Sequence, residues 1–396
     1  MKKEEIELMD IQNKNRTWAE VNLANLEYNY RNICDRVHEI SAETKVLSVV
    51  KADAYGHGAV EVAKRLSAIG TDYFAVATAP EAGKLRQAGI EEPILILGYV
   101  SEADIPYLIE NHISATLCDE HTAEMFSKAA QAIGKPLHVH IAVNTGMTRV
   151  GFEADEDEDS IEKIVEAATM PGIVTEGIFT HFAVADTADG NEYTNEQFAR
   201  FCAVVDALSA RGLTLTYRHC ANSGAILQYP QTVCLKLSNG EPAFTMVRAG
   251  IILYGYYPDA GTKKTVALRP VMTIKAHVVQ VRDVKSGVTV SYGRTYTTQQ
   301  PMRLAVITMG YADGYHRAAS GRAQVMVNGK IVPVVGRICM DMCMIDVSGI
   351  EVKQGDIVTV FGEEGVTADT TAEAANTISY EVLCAISARM PRFYVN

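Results

Sequence analysis

Short apolar runs and amphipathic stretches alternate from residue 45 to residue 255. Lys45–Val50, Tyr73–Ala77, Ile94–Leu97, Ser114–Leu117, Leu137–Val143, Ile173–Phe179, Tyr217–Cys220 and Met246–Ile252 are mostly rich in Val and Ile or continuously apolar. Strands buried on both faces of a parallel sheet have that texture. Between them the spacing turns helical. Ala59–Ile69 puts Val60, Ala63 and Leu66 on one face and runs into Gly70, a left-handed cap. Ser101 and Asp104 form a capping-box-like start, Asp119 and Gly134 bracket another helix, and Asn195–Ala210 closes at Gly212.

Beyond Tyr257 the periodicity changes to short Val/Ile/Met-rich segments separated by Gly, Asp and Asn. Thr273–Arg282, Val288–Tyr292, Arg303–Thr308, Ala323–Val327, Lys330–Val335, Cys343–Val347 and Ile357–Phe361 read as strands, with an Asn328-Gly329 hairpin turn. The pattern predicts an α/β chain: a (β/α)8 TIM-type barrel over 17–256, a C-terminal all-β domain over 257–396, and a polar N-terminal extension over 1–16. A doubly wound open sheet is the alternative that strand count leaves open.

Composition narrows the function classes. The 396 residues are 48% hydrophobic, enough for a large core without staples. A net charge of −12 and no basic cluster argue against a nucleic-acid partner. The eight cysteines are scattered, without C-x-x-C or zinc-like spacing, and read as thiols of a reducing compartment with no metal site. The acidic run Glu153–Asp159 reads as a solvated helix start. Neither a secretory leader nor a membrane span is apparent, so the expected compartment is the cytoplasm.

The first barrel strand runs into Val49-Val50-Lys51-Ala52-Asp53-Ala54-Tyr55-Gly56-His57-Gly58. Barrel active sites lie at the C-terminal strand ends, and a lysine there can serve as a neutral, Schiff-base-forming nucleophile when burial lowers its pKa. Taken alone, such a lysine more often simply leaves the strand for solvent, and the surrounding glycines and Tyr55 shift that balance without settling it.

The block VVKADAYGHG resembles the cofactor-lysine signature of alanine racemases, two-domain fold type III enzymes of pyridoxal 5'-phosphate. The resemblance continues in order through NTGMTRVGF (144–152), THFAVAD (180–186), HCANSGA (219–225), VRAGIILYG (247–255), VSYGRTY (290–296), GYADGYHR (310–317), GRICMDM (336–342) and ISYEVLC (378–384). It implies that Lys51 holds the cofactor and serves one face of the substrate α-carbon, with Tyr292 on the other. Two groups are needed, because one base returning its own proton regenerates the starting hand. It further implies a homodimer in which Tyr292 and Met340 come from the partner subunit, with a small amino acid as substrate.

Under the same resemblance His181 links Arg248 to Tyr292. Arg248 faces the pyridine nitrogen and keeps it unprotonated, which weakens the electron sink and favours prompt reprotonation. The phosphate falls to Asn222 and Ser223, to the backbone of Gly250 and Ile251, and to Tyr55 and Tyr380. Arg149 and the backbone of Met340 receive the substrate carboxylate, and Tyr311 and Tyr380 narrow the entrance. The chain departs from the pattern in one place. Many members brace the position of Arg149 with a lysine, often carbamylated, where this chain has Ala142, and Asn144 replaces the usual aspartate. An anion such as chloride, or ordered water, is expected in its stead.

The implied activity is the interconversion of L- and D-alanine, supplying D-alanine for the bacterial cell wall. Racemisation of another small amino acid such as serine is the alternative, since one methylene or hydroxyl discriminates by only about 1–3 kcal/mol. A fold-related decarboxylase gains some footing from Cys339, against which stand Arg248 and Tyr292.

Overall fold

The computed structural model describes residues 16–154, 158–187, 189–236, 240 and 242–396. The extension before Arg16 and part of the acidic run therefore lie outside the described residues. The chain divides into two compact units, one of residues up to Leu26 with Tyr55–Gly58 and Arg269–Asn396, the other of Glu27–Ala54 and Ala59–Leu268. Strand β1 (Thr17–Asn22) pairs with residues 272–276 and so joins the first unit, where the sequence predicts a single boundary near 256. A strand's periodicity shows which faces it buries but not which distant strand it pairs with.

The second unit is a parallel barrel. Strands β2 (Lys45–Val49), β3 (Tyr73–Val76), β4 (Ile94–Ile96), β5 (Ile113–Leu117), β6 (Leu137–Asn144), β8 (Ile173–Phe179), β9 (Tyr217–His219) and β10 (Met246–Ala249) run in the order β10-β2-β3-β4-β5-β6-β8-β9, with β7 (Phe152–Glu153) beside β6. Thr245 N–H donates to Arg218 O and Arg248 N–H to Ala221 O, both at 2.9 Å, closing the ring between β9 and β10. All eight barrel strands lie within or within a residue or two of the predicted segments. Helices follow them: Asp119 caps Glu120–Ile133 by accepting from Thr122 N, and Gly134 ends it at φ 73. The helix expected from Asn195 begins at Asn191, a polar first turn without apolar spacing to announce it.

The lumen is not uniformly apolar. Tyr73, His140 and His219 are at most 1% exposed, and Tyr73 on β3 reaches Glu176 on β8 at 3.2 Å across the interior.

In the other unit β1 pairs antiparallel with β11 (Met272–Val284) and parallel with β19 (Arg392–Val395). With β14 (Met302–Ile307), β15 (Gln324–Val327), β16 (Lys330–Val335), β17 (Cys343–Asp346) and β18 (Ile357–Phe361) they form an eight-stranded sheet ordered β14-β17-β16-β15-β18-β11-β1-β19. A further β11–β14 pairing curls it on itself. Asn328 and Gly329 take φ 49 and 72 in the β15–β16 hairpin, the left-handed pair that turn requires. Two short helices, Ala368–Ala375 and Ser379–Cys384, were not apparent from the sequence. All eight cysteines are free thiols, and among the described residues no helix is long and apolar enough to cross a membrane.

Candidate active site

Lys51 follows β2 directly, and the backbone after it turns the wrong way for L-residues. Ala52, Asp53, Ala54 and Tyr55 all have positive φ, at 52, 55, 55 and 52°. A left-handed turn costs about 1–2 kcal/mol per non-glycine residue, so it persists only where its surroundings impose it. Within the barrel unit the restraints are visible. Ala54 N–H donates to Val50 O at 2.9 Å, Ala52 N–H to Glu81 Oε1 at 2.8 Å, and Ala59 N–H to Asp53 Oδ1 at 2.9 Å. Tyr254 donates its hydroxyl to Val49 O at 2.9 Å and steadies the strand end from inside.

On the neighbouring strand β10, Arg248 is 4% exposed and held by neutral acceptors alone. Its Nη1 donates to the Nδ1 and the carbonyl of His219, each at 2.9 Å. Nη2 donates to Thr180 O at 2.7 Å, Cys220 O at 3.1 Å and His181 Nδ1 at 3.3 Å, and the guanidinium lies 5.6 Å from the Phe179 ring centroid. Among the described residues no carboxylate pairs with it. Burial lowers its pKa to about 10, which leaves it charged at neutral pH.

His181 follows β8. Burial, then the charges of Arg248, Arg149 and Lys51, hold its imidazole well below the ordinary value, so it is neutral. Because Arg248 can only donate to Nδ1, the ring hydrogen of His181 sits on Nε2. Four of the expected residues, Lys51, Arg149, His181 and Arg248, are thus gathered at the C-terminal ends of the barrel strands.

Arg149 comes off the turn after β6, and Asn144 builds that turn. Its Oδ1 accepts Gly146 N–H at 3.2 Å and Thr148 N–H at 2.8 Å, while its Nδ2 donates to both Glu153 oxygens at 3.0 Å. A recess of about 20 Å3 lies between Ala142, Asn144, Arg149, Thr180 and His181, room for one water-sized particle.

At the ends of β9 and β10, Asn222 caps Ser223–Gln228 by accepting Ala225 N–H at 3.0 Å. The Ser223 hydroxyl accepts Gly250 N–H at 3.0 Å, which keeps its own hydrogen available to another acceptor, and Ile251 begins the turn that follows. A side chain at Gly224 would meet Ala185 O at 2.7 Å, so glycine is required there by close approach.

The remaining expected residues belong to the β-unit. Tyr292 sits in the turn joining β12 (Thr289–Val290) to β13 (Tyr296–Thr297) and is 70% exposed. Ser291, Gly293 and Arg294 beside it have φ of 67, 73 and 50°, and Ser291 donates to Arg337 O at 2.7 Å. Tyr311 and Met340, 41% and 53% exposed, are tied together: Tyr311 N–H donates to Cys339 O and Ala312 N–H to Met340 O, each at 3.0 Å. Tyr55 lies with its ring 6.0 Å from that of Tyr380. Burial, with Cys384 nearby, pushes the Tyr55 phenol up, so it stays a hydroxyl.

Several supporting residues escaped the sequence reading. Glu81 sits at the third position of a helix capped by Thr78, where an N-terminal acid looks like ordinary capping, yet it fastens Ala52. Asp313, fully buried, accepts from Gly310 N–H at 2.9 Å, Arg16 Nη2 at 2.9 Å and Arg389 Nε at 2.8 Å, and so fixes the turn that carries Tyr311. His140 and Glu176 interrupt largely apolar strands, and that interruption was their signal; His219 lies in the polar strand Tyr217–His219, which carries none.

Residues 21–258 match the N-terminal domain of alanine racemases, and residues 271–394 match the C-terminal domain. The alanine racemase of Desulfovibrio desulfuricans is 44% identical over 379 residues, covering 96% of this chain and 98% of its own. The structure of the Clostridium difficile alanine racemase in complex with cycloserine superposes with a TM-score of 0.86 at 40% identity, over 96% of both chains. That of the Bacillus anthracis alanine racemase with bound L-Ala-P gives 0.85 at 33% identity, over 96% of this chain and 95% of its own. Over almost its whole described length, this chain is a member of the alanine racemase family.

Proposed function

We propose that the chain interconverts L- and D-alanine with pyridoxal 5'-phosphate as cofactor, acting in the cytoplasm as a homodimer and supplying D-alanine for the cell wall. The observation that carries the mechanism is the setting of Arg248: a buried, charged guanidinium held by neutral acceptors, with no hydrogen bond at Nε among the described residues. An unpaired buried charge is costly, so such a group fits a partner that the protein itself does not contain. The ring nitrogen of the cofactor suits it. The Ser223 hydroxyl, with the backbone N–H of Ile251 beside it, suits a phosphate; Asn222, Gly250, Tyr55 and Tyr380 complete that assignment.

When bound, pyridoxal phosphate draws electrons from the substrate α-carbon and makes its hydrogen acidic. The chain's own residues then govern proton traffic. Lys51 gives or takes the proton on one face, and Tyr292 of the partner subunit does so on the other. His181, neutral and carrying hydrogen on Nε2, is suited to donate to that phenolic oxygen. Arg149 and the backbone N–H of Met340 of the partner subunit orient the substrate carboxylate. Tyr311 and Tyr380 restrict the entrance to small side chains. The high exposure of Tyr292 and Met340, beside an apolar recess of about 490 Å3 lined by Val288, Leu304 and Met344, supports coverage by a second copy.

The test combines three measurements on purified protein. L-alanine should yield D-alanine, read with a D-amino-acid oxidase, and a panel of other L-amino acids should react more slowly. Borohydride should fix the cofactor to the peptide containing Lys51. A colourless protein that takes up no cofactor, or release of carbon dioxide from a basic amino acid, would overturn the proposal.

A further inference from the structure

Behind Arg248 a chain of polar groups runs down the barrel lumen. His219 Nε2 lies 3.0 Å from His140 Nδ1, and His140 Nε2 lies 3.4 Å both from Glu176 Oε1 and from the Tyr73 hydroxyl oxygen, which itself donates to that carboxylate oxygen at 3.2 Å. Both imidazoles are fully buried. Glu176 also faces Ser114, Tyr73 and His138, whose Nδ1 is 3.0 Å from Oε2. The ring planes are set by packing: Tyr217 stacks on His140 at 5.6 Å and 11°, and Phe179 on His219 at 5.2 Å and 13°. A side chain on Gly177 would come within 2.4 Å of His140 Nδ1, so the strand makes room for this ring.

The hydrogens have one consistent arrangement. Arginine can only donate, so His219 Nδ1 accepts from Arg248, and a neutral His219 carries its hydrogen on Nε2. That hydrogen is donated to His140 Nδ1, which places His140's own hydrogen on Nε2, facing Glu176 and the Tyr73 hydroxyl that donates to the same carboxylate. A carboxylate can only accept. The donor-only end and the acceptor-only end therefore impose the same direction. Burial and the charge of Arg248 keep His219 neutral, and burial keeps His140 neutral despite its acidic neighbour. Burial opposes ionisation of Glu176, but the bonds from His140, Ser114 and His138 outweigh it and hold its pKa at about 2.

We propose that Glu176 is a positioning residue for Arg248: by accepting from His140 it locks both lumen histidines as Nε2–H tautomers and so keeps His219 Nδ1 as the acceptor that orients the guanidinium. Without that anchor only Arg248 holds the direction, and its Nη1 has a second acceptor in the His219 carbonyl, so that His140 is able to hold its hydrogen on either nitrogen. The Nδ1–H form of His140 forces His219 to turn a hydrogen toward Arg248, donor against donor. The consequence for catalysis rests on the proposed role of Arg248 at the ring nitrogen. The tautomer lock does not.

The decisive measurement is 15N NMR of histidine-labelled protein, with and without cofactor. His140 and His219 should both appear as neutral Nε2–H tautomers from pH 6 to 9; an Nδ1–H or doubly protonated signal from either overturns the proposal. Glu176→Gln keeps an acceptor oxygen toward His140 and should retain both tautomers, with kcat and KM within about threefold of the parent. Glu176→Leu should give mixed tautomers at His219, lower kcat about tenfold at a KM changed less than twofold, and raise the pyruvate formed per racemisation. If Glu176→Leu does not fold, His140→Leu cuts the chain one link nearer Arg248 and takes its place. A His219 signal unmoved by the leucine substitution refutes the coupling. Altered tautomers in a protein that binds no cofactor would refute only the function proposed above.

Discussion

Glu81 accepts the backbone N–H of Ala52 at 2.8 Å, and its other oxygen accepts that of Ala77 at 2.7 Å. The turn immediately after Lys51 is thereby fastened to the end of the adjacent barrel strand. Four consecutive left-handed residues store strain next to the proposed catalytic amine, and this carboxylate is one of the few groups that offset it.

Removing that carboxylate should loosen the turn. Glu81→Ala leaves two N–H groups without their acceptor, and about 1–3 kcal/mol of stability should go with them. Activity should fall more steeply than stability, because a lysine displaced by even an ångström misses its geometry. Glu81→Gln, which retains one acceptor oxygen, should fall between. Urea unfolding and kcat on the same preparations check this. A Glu81→Ala protein with parental kcat would show that the turn holds without it.

What the sequence reveals here is set by how local each signal is. Barrel strands such as Tyr73–Val76 announce themselves because two buried faces demand continuous apolar residues. Lys51 and Arg248 were reached through motif resemblance, and their strand ends are where the structure has them. Thr17–Asn22 was assigned to the barrel because nothing in six residues names a partner such as Ala276. Glu81 and Asp313 were missed for a related reason: each looks like a helix or turn acid, and its distinctive bonds depend on tertiary placement. His140 was the legible omission. Two histidines spaced by two in an apolar strand, His138 and His140, already implied a polar interior.

The loop that presents Met340 depends on a missing side chain. A Cβ at Gly310 would lie 2.3 Å from Met340 O, although φ there is an ordinary −144°, so the requirement is close approach and not backbone conformation. Gly310→Ala should displace Met340 and weaken carboxylate binding. KM for alanine should rise about tenfold or more with a smaller change in kcat. Steady-state kinetics in both directions measure it, and an unchanged KM would remove Met340 from substrate binding.

Acid should destabilise the fold well before its carboxylates protonate. His140 and His219 are fully buried, and both have folded pKa values below the ordinary 6.5. The unfolded chain takes up their protons as pH falls through 6.5, while the native chain does not. Stability is therefore fully present above 6.5 and declines below it, by about 1.4 kcal/mol per pH unit for each histidine. Glu176, held at about 2, adds a second loss, beginning near its unfolded value of 4.5 and complete only as pH falls through the folded one. Urea midpoints from pH 8 to pH 4 should bend downward near 6.5. A flat profile between 6.5 and 5 would mean that the lumen histidines accept protons in place.

Arg149 has no carboxylate partner among the described residues, and a recess of about 20 Å3 lies beside it at Ala142. Asn144 cannot supply the charge, since a carboxamide is neutral, and its oxygen and nitrogen are already bonded to Gly146, Thr148 and Glu153. A monatomic anion in that recess would hold the guanidinium as a carbamate would, by charge and by excluding water. Activity should then rise with chloride at constant ionic strength and saturate, with bromide substituting and a bulky anion such as sulfate failing to do so. Ala142→Lys, which fills the recess, should abolish the response and become sensitive to bicarbonate instead. If the parent protein is equally active in chloride and in gluconate, ordered water is the occupant and Arg149 is held by its turn alone.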